Sequence, residues 1–376
     1  MIFTKNKLIK SFTGVLLLAS LTLIVCCKKK DSKKEETPAD ETFDKQALLT
    51  NLADNLILPA YNEFKTALDS VTQTFETFKV SGSKSDFLSV RQKFAIAYLK
   101  YQRISIFGFG PGEDAGVRTN FNIFPCDTTK IKANISSGTY NLSSATNFAC
   151  KGLPALDYLF YDLNRSDDVI VQSFTDAKRK AYVSDVIGEM SAKLATVITT
   201  WNSTYRTTFV NSLSTDVGSS LGYVINQINY ELDYLKNSKI ATPLGLRSAG
   251  TPLPANSEAY YGQQSMQYAL ETLNMMENVY LGRSLKNADG LGFDDYLDHL
   301  GVMHVDVSLN TAIKSQFGVA RAKFTAVGNP LSEKVLTTPT VVNEAYTELV
   351  KLLVLLKTDM PSSLGVVITY QDGDGD

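Results

Sequence analysis

The 376-residue chain, 41.3 kDa, is 44% hydrophobic and 20% charged, which supplies a sizeable core and argues against wholesale disorder. Its 37 Lys and Arg against 39 Asp and Glu give a net charge of −2, leaving no basic excess to neutralise a phosphate backbone, so no nucleic-acid partner is expected. Two His and four Cys exclude a zinc-finger array and leave little for a His-based metal site or a Ser-His-Asp triad. In chain order, Lys5, Lys7 and Lys10 come first, followed by an apolar run from Gly14 to Val25. That run is shorter than the about 20 residues that span a bilayer.

The run ends at Cys26 and Cys27, followed by Lys28, Lys29 and Lys30. This resembles a bacterial lipoprotein signal over residues 1–27, with lipid on Cys27 or on Cys26; the bulk of Val25 favours Cys27. An uncleaved anchor helix is the competing reading. Removing residues 1–26 takes away three Lys, so the mature charge is 34 − 39 = −5. Residues 28–43 are charged and nearly free of apolar side chains, and read as a tether reaching at most about 50 Å. The expected location is the bacterial cell envelope, lipid-anchored to the outer membrane on its periplasmic or surface side. Disulfides persist beyond the inner membrane. Cys126 and Cys150 are therefore expected to bridge, contributing on the order of 3 kcal/mol; two free buried thiols are the alternative.

Apolar spacing then sets the fold class. Tyr61, Phe64, Leu68, Val71, Phe75 and Phe78 step by threes and fours along one helix face. Further stripes begin at Phe87, Val183, Leu221, Met266, Leu309 and Val342, and the period-2 run Val366 to Tyr370 is short. The expectation is an all-α protein of seven or more main helices. Gly108, Gly110, Pro111 and Gly112 end the second helix, and residues 113–150 lack helical period and read as a long ordered loop excursion. Three Pro and two Gly in 241–256 mark an internal boundary. The expected helical bundles are residues 44–245 and 246–376.

The chemical motifs are sparse. The glycines of 108–112 follow a helix and are interrupted by a proline, so they are not a dinucleotide loop. His299 and His304, five apart, do not share a helix face. No G-x-S-x-G occurs, and no Cys is left for catalysis. Asp372, Asp374 and Asp376 alternate with glycine at the end, either as a solvated acidic tail or as part of a cation site. Asp157, among Leu156, Tyr158, Leu159 and Phe160, asks for a cation or hydrogen-bond donors unless it faces solvent.

Several stretches together resemble the imelysin-like family of bacterial envelope proteins: 51–64 its opening helix, 97–113 the helix ending at its F-G-P corner, and 120–127 its N-F-x-x-x-P-x-D segment. Residues 152–162 (GLPALDYLFYD) are similar to its signature helix, 256–265 to its E-S-x-x-S-x-x-S stretch, and 362–376 to its D-x-D-G-D ending. The resemblance implies two all-α helical bundles, a ligand site at their interface, lipid anchorage, a link to iron or haem uptake and a metallopeptidase name. The family's metal motif is G-x-H-x-x-E, where this chain has Pro154 for His and Asp157 for Glu. Proline supplies no ligand, and one Asp cannot serve as a peptidase site. The expected function is therefore non-catalytic binding of a small ligand or an envelope partner of a metal-uptake system. Binding residues carried over from the matching stretches are Asp157, Arg103 as its cationic partner, Asp127, Glu258 and Ser265. The alternatives are a metal-dependent peptidase and a carboxylate-based carrier of iron or calcium using Asp157 with Asp372 or Asp374.

Overall fold

The first two apolar stripes become the helices Leu58–Ser81 and Lys84–Tyr101. Between them Gly82 takes the left-handed conformation, its N–H bonding Phe78 O at 2.8 Å, and Ser83 caps the second helix by accepting from Asp86 N. That two-residue reversal folds the stripes face to face. The helix Ala177–Thr200 packs on the first of them, burying Val183, Val186, Met190, Leu194 and Val197. The computed structural model describes residues 42–370 of the chain. The signal segment with Cys26 and Cys27, residues 28–41 of the tether, and Asp372 and Asp374 lie outside the described residues.

A cluster of phenylalanines fills the space between these helices. Ring centroids stand 5.0 Å apart for Phe78 and Phe87, 5.4 Å for Phe78 and Phe174, and 5.3 Å for Phe94 and Phe160. The last two pairs meet edge to face, a geometry that adds to the area each ring buries. Phe160 lies on the helix Gly152–Tyr161, in which every residue from Gly152 to Phe160 is buried. Gly152 enters it at φ +72°, and a Cβ there would collide with Phe121 O. The signature segment is thus clamped as a core helix, which fixes where Asp157 points.

The later stripes become the helices Ser220–Tyr234, Ser265–Tyr280, Leu309–Val327 and Pro339–Val354, which pack on one another. Three long helices continue into wider π-helical turns, Trp201–Tyr205, Leu235–Ala241 and Leu355–Asp359. Such turns shift the face that the following residues present. In Leu235–Ala241 the polar Lys236, Asn237 and Lys239 are buried. Contacts knit the described residues from Phe43 onward into one compact unit.

Two expectations need correction. Residues 113–150 are not without helix: Val117–Phe121 and Thr128–Ser137 lie within them. Thr128–Ser137 starts at an Asp127 cap and ends at a left-handed Gly138, and at ten residues it is too short to show a stripe. The expected Cys126–Cys150 bridge is not formed, and both cysteines are free. Hydrogen bonds close the excursion instead: Asp127 N–H donates to Ala149 O at 2.8 Å, and Asn134 Nδ2 to Asn147 Oδ1 at 3.0 Å. Residues 366–369 are irregular. The sheet present among the described residues is a hairpin of two-residue strands, Met303–His304 and Val307–Ser308.

Candidate functional site

Pro154 occupies the first turn of the Gly152–Tyr161 helix, where its missing N–H costs nothing. One turn on, Asp157 is 2% exposed and points at the 258–264 loop. Its Oδ2 accepts from Tyr261 N at 2.9 Å and its Oδ1 from Gly262 N at 3.0 Å. A Cβ at position 262 would stand 2.5 Å from Asp157 Oδ1, so only glycine brings the backbone this close. The loop holds Ala259 and Gln263 at positive φ, a conformation that costs about 1–2 kcal/mol per residue without compensation. Burial raises the Asp157 carboxyl to about 7, against the opposing pull of the two backbone donors; nearby Glu258 adds to the rise. Beside it lies a cavity of about 20 Å3 lined by Cys126, Pro154, Asp157, Ser257 and Tyr261, among others. That is room for one water-sized species.

Glu258, 1% exposed, opens the same loop and anchors a second set of contacts. Its Oε1 accepts from Gln102 Nε2 at 3.0 Å and Asn122 Nδ2 at 2.7 Å, while Asn122 Oδ1 accepts from Tyr98 OH at 2.7 Å. Lys239 Nζ stands 2.9 Å from Glu258 Oε2, an ion pair without hydrogen-bond alignment. The ammonium directs its hydrogens to Gln102 Oε1 at 2.7 Å and Thr272 Oγ1 at 3.1 Å. The π-helical turn brings Lys239 inward to this point. Segments 98–157 and 239–272 therefore meet through polar side chains shielded from water, where each satisfied contact is strong and each broken one costly.

A third carboxylate adjoins this network. Glu231, fully buried, accepts from Ser105 Oγ at 2.9 Å and pairs with Arg118. The Arg118 guanidinium lies over the rings of Tyr230 and Tyr234, 4.7 and 4.4 Å from their centroids. Burial alone would raise the Glu231 carboxyl, but Arg118 and then Lys239 hold it below the ordinary Glu range.

Of the five residues expected to form the site, Asp157 and Glu258 come together, and Ser265 closes their loop through a bond from Oγ to Glu258 O. Arg103 does not pair with Asp157; it bonds Glu271 and, at 2.7 Å, Glu63. The inward position one residue earlier belongs to Gln102. Asp127 is exposed and caps the Thr128–Ser137 helix by accepting from Lys130 N at 2.9 Å. Neither histidine joins the site: His304 Nδ1 pairs with Asp359 at 3.1 Å, and His299 lies against the ring of Phe43. Sequence reasoning missed Gln102, Asn122, Lys239, Thr272 and the Arg118–Glu231 pair. Lys239 carried the one usable signal, a lysine directly continuing the stripe that ends at Leu235.

Fold and site together define an all-α protein with a buried network of carboxylates, amides and a lysine at its centre. The model of the imelysin family, Peptidase M75, matches residues 57–359, and the chain belongs to that family. Among solved structures it is similar to a "putative iron-regulated protein A precursor" from Parabacteroides distasonis ATCC 8503. That match has a TM-score of 0.71 at 16% identity and covers 87% of this chain and 97% of that one. It is also similar to an imelysin-like protein from Psychrobacter arcticum 273-4, at a TM-score of 0.69 and 16% identity, with the same two coverages. No curated protein matches the chain.

A metal suggested by the family's peptidase name does not fit the residues here. Pro154 offers no donor, both Asp157 oxygens accept backbone N–H groups, and Glu258 is engaged by Gln102, Asn122 and Lys239. Among the described residues no group of three or more His, Cys, Asp or Glu side chains stands together as a metal cage.

Proposed function

We propose that this imelysin-family chain is an envelope lipoprotein, lipidated on Cys27 or Cys26, that binds a small ligand or an envelope partner as part of iron acquisition and does not hydrolyse peptides. The observation that carries the reading is the state of the Asp157–Glu258 network. Asp157 accepts two backbone N–H groups and Glu258 is held by Gln102, Asn122 and the Lys239 ammonium, so a metal would have to displace protein partners from both carboxylates. Binding uses the same groups differently. A ligand that displaces the 258–264 loop frees the Asp157 carboxyl and the Tyr261 and Gly262 N–H groups together, an acceptor and two donors in one place. The iron link rests on the iron-regulated name of the Parabacteroides relative and on the family. The boundary at 241–256 would then divide two bundles whose shared face holds the site.

The test has two arms. The transcript is quantified in cells grown with and without an iron chelator, and a rise under iron restriction is expected; a flat response removes the iron link. The purified mature protein is incubated with a mixed peptide pool with and without EDTA. Cleavage that EDTA abolishes would establish the peptidase reading instead.

A further inference from the structure

The described body begins beside an unusual piece of surface. The Phe43 ring stacks on Tyr296 with centroids 4.4 Å apart and planes 8° from parallel, and tilts against His299 at 5.7 Å. Both partners lie on the short helix Phe293–His299, and the chain runs from there straight into the Met303–Ser308 hairpin. Phe43 thus packs on the helix that leads directly into this hairpin.

The hairpin presents apolar side chains to the outside. Met303 is 62% exposed and Val305 at its tip 83%, with Leu300 and Val307 also exposed. Val305 is held at φ +55°, a left-handed conformation that a β-branched residue adopts only at a cost. The mounting is firm. Leu309 N–H donates to Val302 O at 2.9 Å, Ser308 caps the Leu309–Val327 helix, and His304 is tied to Asp359. Asp306 is the other ionisable group of the segment 300–308, so the tip suits headgroup depth rather than the bilayer interior.

We propose that the 300–308 hairpin is a membrane-contacting tip that rests in the lipid headgroup region beside the tether. The inference rests on the lipid anchorage proposed above. Fifteen residues separate Cys27 from Phe43, a reach of at most about 50 Å, so an anchored lipid keeps the bilayer within range of the tip at all times. Four exposed apolar residues would be a weak membrane binder in free solution. With the anchor holding the surface close, a weak contact suffices to orient the body.

The test uses the mature lipidated protein in vesicles of phosphatidylethanolamine and phosphatidylglycerol whose acyl chains carry bromine, a quencher of tryptophan. Val305→Trp places a reporter at the tip. Val80→Trp places one on a side chain 91% exposed at the far end of the Leu58–Ser81 helix, which is about 36 Å long. The native Trp201 is fully buried and serves as an internal constant. Flotation of the protein with the vesicles reports anchorage separately. Flotation with loss of roughly half or more of the Val305→Trp emission, and little change for Val80→Trp, is expected of a tip seated about 5–10 Å into the interface. Flotation with an unquenched Val305→Trp overturns the hairpin contact and leaves anchorage standing. Failure to float overturns both.

Discussion

At the scale of single residues, Asp157 has the most to say about conditions. Its carboxyl sits at about 7 in the folded chain, raised by burial from an ordinary value of 3.8. Below 3.8 both folded and unfolded chains hold the proton. Between 3.8 and 7 the unfolded chain releases a proton that the folded chain keeps. The contribution of Asp157 to stability is therefore full at low pH, falls as pH rises through that window, and is constant above it. The expected fall is on the order of 4 kcal/mol at most. Urea unfolding of wild type and Asp157→Asn at a series of pH values checks this: the wild type should lose ground to the variant between pH 4 and 7. A difference that does not change with pH, or changes in the other direction, contradicts it. Lys239 makes the complementary case. Lys239→Met leaves Glu258 buried without its countercharge, and a cost of about 3–5 kcal/mol is expected in the same assay. Adding Glu258→Gln should recover part of it, because the stranded charge is then gone.

At the scale of elements, the 258–264 loop depends on one close approach. Gly262→Ala puts a methyl group 2.5 Å from Asp157 Oδ1, so the loop and the Gly152–Tyr161 helix must separate and at least one backbone bond to the carboxylate is lost. A destabilisation of about 1–3 kcal/mol is expected by denaturant titration, with the pH dependence described above weakened in step. The excursion carries a second prediction. Hydrogen bonds close residues 126–150, so Cys126 and Cys150 should both alkylate in urea without reductant. Peptide mapping that finds them joined would restore the bridge that their compartment suggests. In the native state both thiols should react slowly, because burial raises each of them, Cys126 to about 12.

The elements also show what was legible in the chain alone. Each of the seven long stripes is a helix, because threes and fours of apolar residues over 15 or more positions leave no other way to bury them. Short elements were not legible: Thr128–Ser137 is too brief for a stripe, and the hairpin strands have two residues each. Within the site, the sequence left Asp157 open between a solvated carboxylate and one in need of a cation or donors, and the structure buries it with donors. The donors are backbone N–H groups 104 and 105 positions away, and such groups leave no mark on side-chain identity. Arg103 looked like the partner because it is charged, but its neighbour Gln102 faces inward and Arg103 faces Glu63 and Glu271. Lys239 continues the Leu232 and Leu235 stripe, so its buried position was legible, but its partners Gln102, Glu258 and Thr272 come from distant segments and were not.

At the scale of the whole molecule, the family supplies the fold and this chain's own residues supply the chemistry at its centre. The imelysin model spans residues 57–359, and two solved relatives share the architecture at 16% identity, so the helical frame tolerates wide change in sequence. At the centre of that frame Pro154 offers no ligand and both Asp157 oxygens accept backbone N–H groups. The measurement that tests this most directly is the metal content of the purified mature protein after incubation with Zn2+ or Fe3+ and exhaustive dialysis, alongside Asp157→Asn. Metal well below one equivalent, and equal in the two proteins, is the result the network predicts. One equivalent retained by the wild type and lost in Asp157→Asn would contradict it and make this carboxylate a ligand.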